Sequence, residues 1–150
     1  NSPAQNATVS NGENNTTTTV AKTDQTETIK KDVRNNWYKY ITLSRSNYTY
    51  REAGGIYDLY LKLTNNTDYT LSSVKTSVNY MKAKGGVYKI EYVYFANVAP
   101  HTVVSEKAPD SNRGTSVDDL IIWSIQSVQL NFCYEPGNWA ANSPDPYKCQ

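Results

Sequence analysis

Between residues 57 and 63 apolar and polar side chains alternate: Tyr57, Leu59, Leu61 and Leu63 fall on one face of an extended chain, and Asp58, Tyr60 and Lys62 on the other. Successive side chains of a strand point to opposite faces, so this period predicts a half-buried β-strand. Residues 74–80 repeat it, with Val74, Val78 and Tyr80 opposite Lys75, Ser77 and Asn79. Two such strands predict the layered packing of a sandwich. Further on the parity changes. Ile121, Trp123 and Ile125 share one face, then Val128, Leu130, Phe132 and Tyr134 share the opposite one. A strand reverses its buried face only through an extra residue, which predicts a β-bulge or sheet crossing near Gln126 and Ser127. In that register Cys133 points away from the core.

Turn chemistry separates the runs. Gly54-Gly55 precedes the strand at Tyr57, and Asn65-Asn66-Thr67-Asp68 follows it. Gly85-Gly86 supplies the positive φ of a tight hairpin into Val87–Val93. Ala99-Pro100-His101 and the run from Pro109 to Gly114 mark two more turns. No helix-period segment lies between these strands. The fold expected is an all-β antiparallel β-sandwich over residues 36–134.

Residues 1–35 read differently. Asn1 to Thr28 hold eight Thr and five Asn, with no aromatic residue and no Leu, Ile, Phe or Met. Such a stretch buries too little apolar area to offset an ordering cost of about 1–2 kcal/mol per residue. It is expected to be a disordered Thr/Asn-rich linker, with at most a helical turn over 28–34. The chain opens on Asn1 rather than Met, which suggests a processed product or an excised fragment with any signal or anchor upstream.

Composition narrows the function. Fifteen Lys and Arg stand against fourteen Asp and Glu, a net charge of +1. Nucleic-acid partners need clustered positive charge, so none is expected. No apolar run is long enough for a transmembrane segment.

Cys133 and Cys149 are the two thiols. The tail over 135–150 is turn-rich and needs an anchor, and a disulfide closing a loop of about 15 residues contributes roughly 3 kcal/mol. Pairing of the two cysteines implies an oxidising compartment, hence a periplasmic, cell-surface or secreted location. Two Cys and one distant His do not make a four-ligand zinc site.

No catalytic, metal or cofactor site is assigned. His101, the only histidine, sits in a turn with just Thr102, Ser105 and Glu106 as sequence neighbours. Asp58, Glu91, Asp118 and Asp119 fall on outward faces or turns. Asp110-Ser111-Asn112-Arg113-Gly114 opens like a calcium loop but lacks the distal bidentate Glu. Asn6, Asn14, Asn15, Asn47 and Asn65 each begin an Asn-x-Ser/Thr triplet, which matters only in a glycosylating pathway.

Tyrosine is the unusual feature, with thirteen residues. Tyr38, Tyr40, Tyr48, Tyr50, Tyr60, Tyr88, Tyr92 and Tyr94 are placed for paired strands. Exposed rings on a sheet stack on sugars or anchor a protein partner, whereas rings at the rim of the core only pack. The candidate recognition surface comprises Tyr60, Tyr88, Tyr92 and Tyr94, with Trp139 as an anchor in the tail loop.

The stretch from Gly54 to Leu71, with Leu59-Tyr60, Thr64-Asn65-Asn66-Thr67 and Asp68-Tyr69, resembles the FxLYD-type domains of bacterial envelope proteins. The next strand, Val74 to Tyr80, and the turns at Gly85-Gly86, Ala99-Pro100-His101 and Ala108-Pro109-Asp110 extend the resemblance over about 54–127. Tyr80-Met81-Lys82 departs from the family's aromatic-Asp step. The resemblance implies an immunoglobulin-like sandwich tethered to an anchor, with no catalytic residues. The cysteine-bearing tail is similar to extensions of Bacteroidetes-type versions. The function expected is a non-enzymatic extracytoplasmic module for protein–protein interaction or spacing, its partner another envelope or surface protein. The alternatives are a carbohydrate-binding module using exposed Tyr and Trp, and a subunit of a surface assembly.

Overall fold

A computed structural model describes residues 25–137 and 143–150. The chain divides into two compact units, Asn1–Asp32 and Val33–Gln150. Of the first, residues 25–32 are described and are helical. The helix covers 25–35 as a whole, and its last residues include the buried Val33 and Arg34 of the second unit. The linker expected over 1–35 is thus corrected at its C-terminal end, and the disorder expected of residues 1–24 lies outside the described residues. Arg34 is ordered by distant partners described below, which local composition does not show.

The second unit is an all-β antiparallel sandwich, entered through a short 3₁₀ turn, Trp37–Lys39. Strands β1 (Ile41–Arg45), β4 (Tyr60–Asn65) and β7 (Thr102–Lys107) form one sheet in the order β1-β4-β7. Strands β5 (Leu71–Met81), β6 (Val87–Val98), β8 (Ser116–Ser127) and β9 (Phe132–Tyr134) form the other in the order β9-β8-β5-β6. A small ribbon pairs β2 (Thr49–Tyr50) with β3 (Ile56–Tyr57). All pairings are antiparallel.

The alternation of residues 57–63 buries the predicted face: Leu59, Leu61 and Leu63 are fully buried, against Val74, Val78, Phe95 and Ile125 in the same core cluster. Burying each such side chain contributes about 1.5–3 kcal/mol. Asp58, at φ +61°, breaks the run between Tyr57 and Tyr60, so two strands stand where one was read. Gly85 and Gly86 do turn the β5–β6 hairpin at φ +90° and +83°. Lys82 N–H closes it on the Gly86 carbonyl at 2.9 Å.

The parity change near residue 126 has a different cause from the one expected. The chain does not continue through a bulge but reverses: β8 ends at Ser127, Val128 to Asn131 turn, and β9 folds back on β8 with Phe132 opposite Ser127. Asn131 takes φ +49° to complete the turn, and the Ser127 hydroxyl accepts the Leu130 N–H. Bulges do occur in β8, but against β5, near Trp123 and Asp119. The outward orientation of Cys133 holds.

Cys133 and Cys149 form a disulfide with their Cα atoms 4.9 Å apart. A disulfide fits maturation outside the reducing cytoplasm. The tail has further anchors. Cys133 N–H donates to the Tyr147 carbonyl and Cys149 N–H to that of Asn131, so the tail lies along β9 as a fragment of a further strand. Arg34, its side chain nearly wholly buried, donates Nε and Nη2 to the two Asp145 oxygens at 3.1 and 2.7 Å and Nη1 to the Leu130 carbonyl. Tyr147 packs edge-on against Phe132 and Tyr134, and the Tyr134 ring lies tilted against Trp37. Burial, with the Tyr147 phenol beside it, raises the Tyr134 pKa above the ordinary tyrosine value. No described helix is long and apolar enough to cross a membrane.

Candidate functional site

The register of the β5–β6 hairpin decides which tyrosines meet. Residues directly opposite in an antiparallel pair share a face. Val74 opposes Phe95 and Thr76 opposes Val93 on the buried side. Lys75 opposes Tyr94, Ser77 opposes Tyr92 and Asn79 opposes Ile90 on the outer side. Tyr88, Ile90, Tyr92 and Tyr94 therefore stand in one row along β6. Their exposures are 38, 43, 43 and 63%.

The row has a floor. Lys75 Nζ lies 4.9 Å from the centre of the Tyr92 ring, a cation–π contact at the surface. The register slip between Lys75 and Thr76 sets Trp123 as an extra residue on β8, and its indole N–H donates to Ser77 Oγ at 2.8 Å. That contact, with Asn79 Nδ2 donating to Asp119 Oδ2, buries Ser77 and Asn79 on the side expected to face solvent. The expectation that β5 is buried on one face only is thus corrected there. Ile121, opposite Ser77, adds an exposed apolar side chain.

Three candidate residues, Tyr88, Tyr92 and Tyr94, come together on this face. Tyr60 does not join them: it lies on β4, in the other sheet, opposite Lys107. Alternation alone places a side chain on one face of a strand but not in one sheet or the other. Trp139 lies outside the described residues. Sequence reasoning missed Ile90, although the pattern Tyr88-x-Ile90-x-Tyr92-x-Tyr94 carries it, and missed Trp123, whose exposure depends on a bulge. Tyr40 and Tyr48 instead pack at the rim of the core, while Tyr38 and Tyr50 are exposed away from the β6 row.

The residues weighed for chemistry are placed elsewhere. His101, at φ +55° in an exposed turn, has Nδ1 2.9 Å from Asn66 Oδ1 and Nε2 2.6 Å from Asp68 Oδ1. The Asp110 carboxylate accepts the Asp58 N–H and an Nζ hydrogen of Lys107. The Asp58 amide, then Lys107, hold the Asp110 pKa below the usual carboxylate value; the bond to Asp110 raises that of Lys107. Tyr80 donates its hydroxyl to the Pro109 carbonyl at 2.6 Å. Burial first, then the charges of Glu91 and Asp110, lift its pKa well above the tyrosine range. Asn65 is buried, giving Nδ2 hydrogens to the carbonyls of Tyr69, Val98 and Ala99 and accepting from Thr67, so its triplet builds a turn. Among the described residues, a surface hollow of about 330 Å³ is lined by the disulfide and Val128, and another of about 450 Å³ lies between Arg45 and the Asp118–Asp119 bulge.

Comparison of the chain with family models, with curated proteins and with solved structures returned no match. The reading of the site rests on its own geometry.

Proposed function

We propose that the protein is a non-enzymatic extracytoplasmic module, periplasmic, surface-exposed or secreted, that binds another envelope or surface protein through the outer face of its four-stranded sheet. The row of Tyr88, Ile90, Tyr92 and Tyr94 carries this reading. Rigid amphipathic rings lose little conformational freedom on binding and supply large contact area, which suits them to anchor a partner. The disulfide supports the location. The strand and turn signatures of residues 54–127 support placing the sandwich with immunoglobulin-like domains of the FxLYD type.

A photo-crosslinking residue placed at Tyr94 of the full chain, in cells that make it, tests the reading, with the same residue at Tyr60 as control. A discrete adduct with another envelope protein from position 94 and none from position 60 is expected. Equal labelling from both, or none from 94, contradicts it. A glycan-binding module is the second reading, favoured by the exposed ring faces and the adjacent Lys75 ammonium. Saccharide binding lost in Tyr92→Ala and Tyr94→Ala selects it.

A further inference from the structure

Strand β6 is the last of its sheet, twelve residues long and without proline, and no described strand pairs with its outer edge. An edge of this kind is a template for another strand. We propose that it pairs with the same edge of a second copy of this chain, antiparallel about a two-fold axis at Ile90. The proposal stands apart from the partner binding above, which uses the outer face and needs no edge pairing.

Charge selects the occupant and the register. In a symmetric antiparallel pair the axis passes through a residue, because opposed side chains share a face. With the axis at Ile90, Lys89 of each copy faces Glu91 of the other. Tyr88, the extra residue of the bulge between Lys89 and Val87, then faces Tyr92 on the outer side. Tyr94, the most exposed ring of the row, faces Gly86, where no heavy atom lies within 4 Å of the place a Cβ would take. An axis at Lys89 opposes two lysines, and one at Glu91 opposes two glutamates. An axis at Tyr92 sets Lys89 against Phe95 and Glu91 against Val93. Opposite charges across a pair are favourable and like charges are not.

Charged side chains guard an edge, and against a second copy they do so where like charges come to oppose each other. Lys89 and Glu91 instead straddle Ile90 with opposite signs, which makes the edge complementary to itself. Within one chain they already lie 3.3 Å apart, with the Glu91 side chain only 12% exposed and that of Lys89 57% exposed. Pairing surrounds each charge with opposite ones in a cluster of four.

Sedimentation velocity of the full chain, from about 10 μM to about 1 mM, tests the proposal. A monomer–dimer equilibrium is expected. Lys89→Glu and Glu91→Lys are each expected to weaken it at least tenfold, and the double exchange to restore it. An equimolar mixture of the two single variants is expected to dimerise as the parent does, since every opposed pair is again complementary; this arm also shows that both variants are folded. A chain monomeric at every concentration overturns the proposal and leaves a Tyr94 adduct with another protein unaffected. A dimer indifferent to either charge reversal, or a mixture no tighter than its components, also overturns it.

Discussion

The four-stranded sheet ends in two different ways. At the β9 side the chain covers its own edge: residues of the tail bond to Asn131 and Cys133, the disulfide ties Cys149 to Cys133, and Arg34 holds Asp145 through two hydrogen bonds. At the β6 side no described segment covers the strand, and its outer face shows tyrosines in place of charge. Both ends carry aromatic residues. The rings at β9 (Phe132, Tyr134 and Tyr147) pack on one another, whereas the tyrosines of β6 face outward. One edge is closed by its own chain and the other lies open, which is where we propose association; the same residue type packs inward or faces outward according to what lies beside it.

Substitution at the two ends separates these roles. Phe132→Ala is expected to cost about 4 kcal/mol in chemical denaturation, because it empties a fully buried site. Tyr94→Ala is expected to change stability by less than about 0.5 kcal/mol, because the ring is exposed. Equal costs at the two positions break the comparison. Replacing both cysteines by serine is expected to remove about 3 kcal/mol and to leave the fold formed, since Arg34 and the ring cluster still hold the tail. Asp145→Ala strips the bidentate partner from a buried guanidinium. Its expected cost is about 2 kcal/mol, below the roughly 3–5 kcal/mol of a wholly buried pair because Asp145 is partly exposed. A double-mutant cycle with Arg34→Met isolates the pair.

Away from both edges, the Lys107–Asp110 pair gives the smallest effect. The depressed Asp110 pKa contributes stability above the ordinary carboxylate value that is lost as pH falls through the lowered one. The raised Lys107 pKa contributes below the ordinary lysine value, and this is lost as pH rises through the raised one. Both groups are solvent-exposed, so Asp110→Asn is expected to flatten the acid limb of the melting-temperature profile only slightly.

Much of this architecture is written in local patterns. Leu59, Leu61 and Leu63 announce a half-buried strand, Gly85-Gly86 a hairpin, and the lone pair of cysteines a clasp for a turn-rich tail. What was not legible depends on residues far apart in the chain. The burial of Arg34 is set by Asp145 and Leu130, more than ninety residues away, so a polar segment that reads as linker ends in a docked helical turn. The reversal at 128–131 contains no glycine, and Asn131 supplies the positive φ, so its alternation looks like one strand with a fault. For the site, Tyr88, Tyr92 and Tyr94 were recognisable as a period-two row. That Tyr60 belongs to the opposite sheet follows only from the strand order, and Trp123 reaches the outer face only through a register slip.

Amide hydrogen exchange, resolved residue by residue in dilute full-length protein, asks most directly whether one edge is closed and the other open. The Cys133 and Cys149 amides, bonded to the Tyr147 and Asn131 carbonyls, are expected to exchange slowly. Alternate amides of Val87–Val98 are expected to exchange rapidly, their neighbours bonded to β5 slowly. Uniform protection along β6 in the monomer, or rapid exchange at Cys133 and Cys149, contradicts the account.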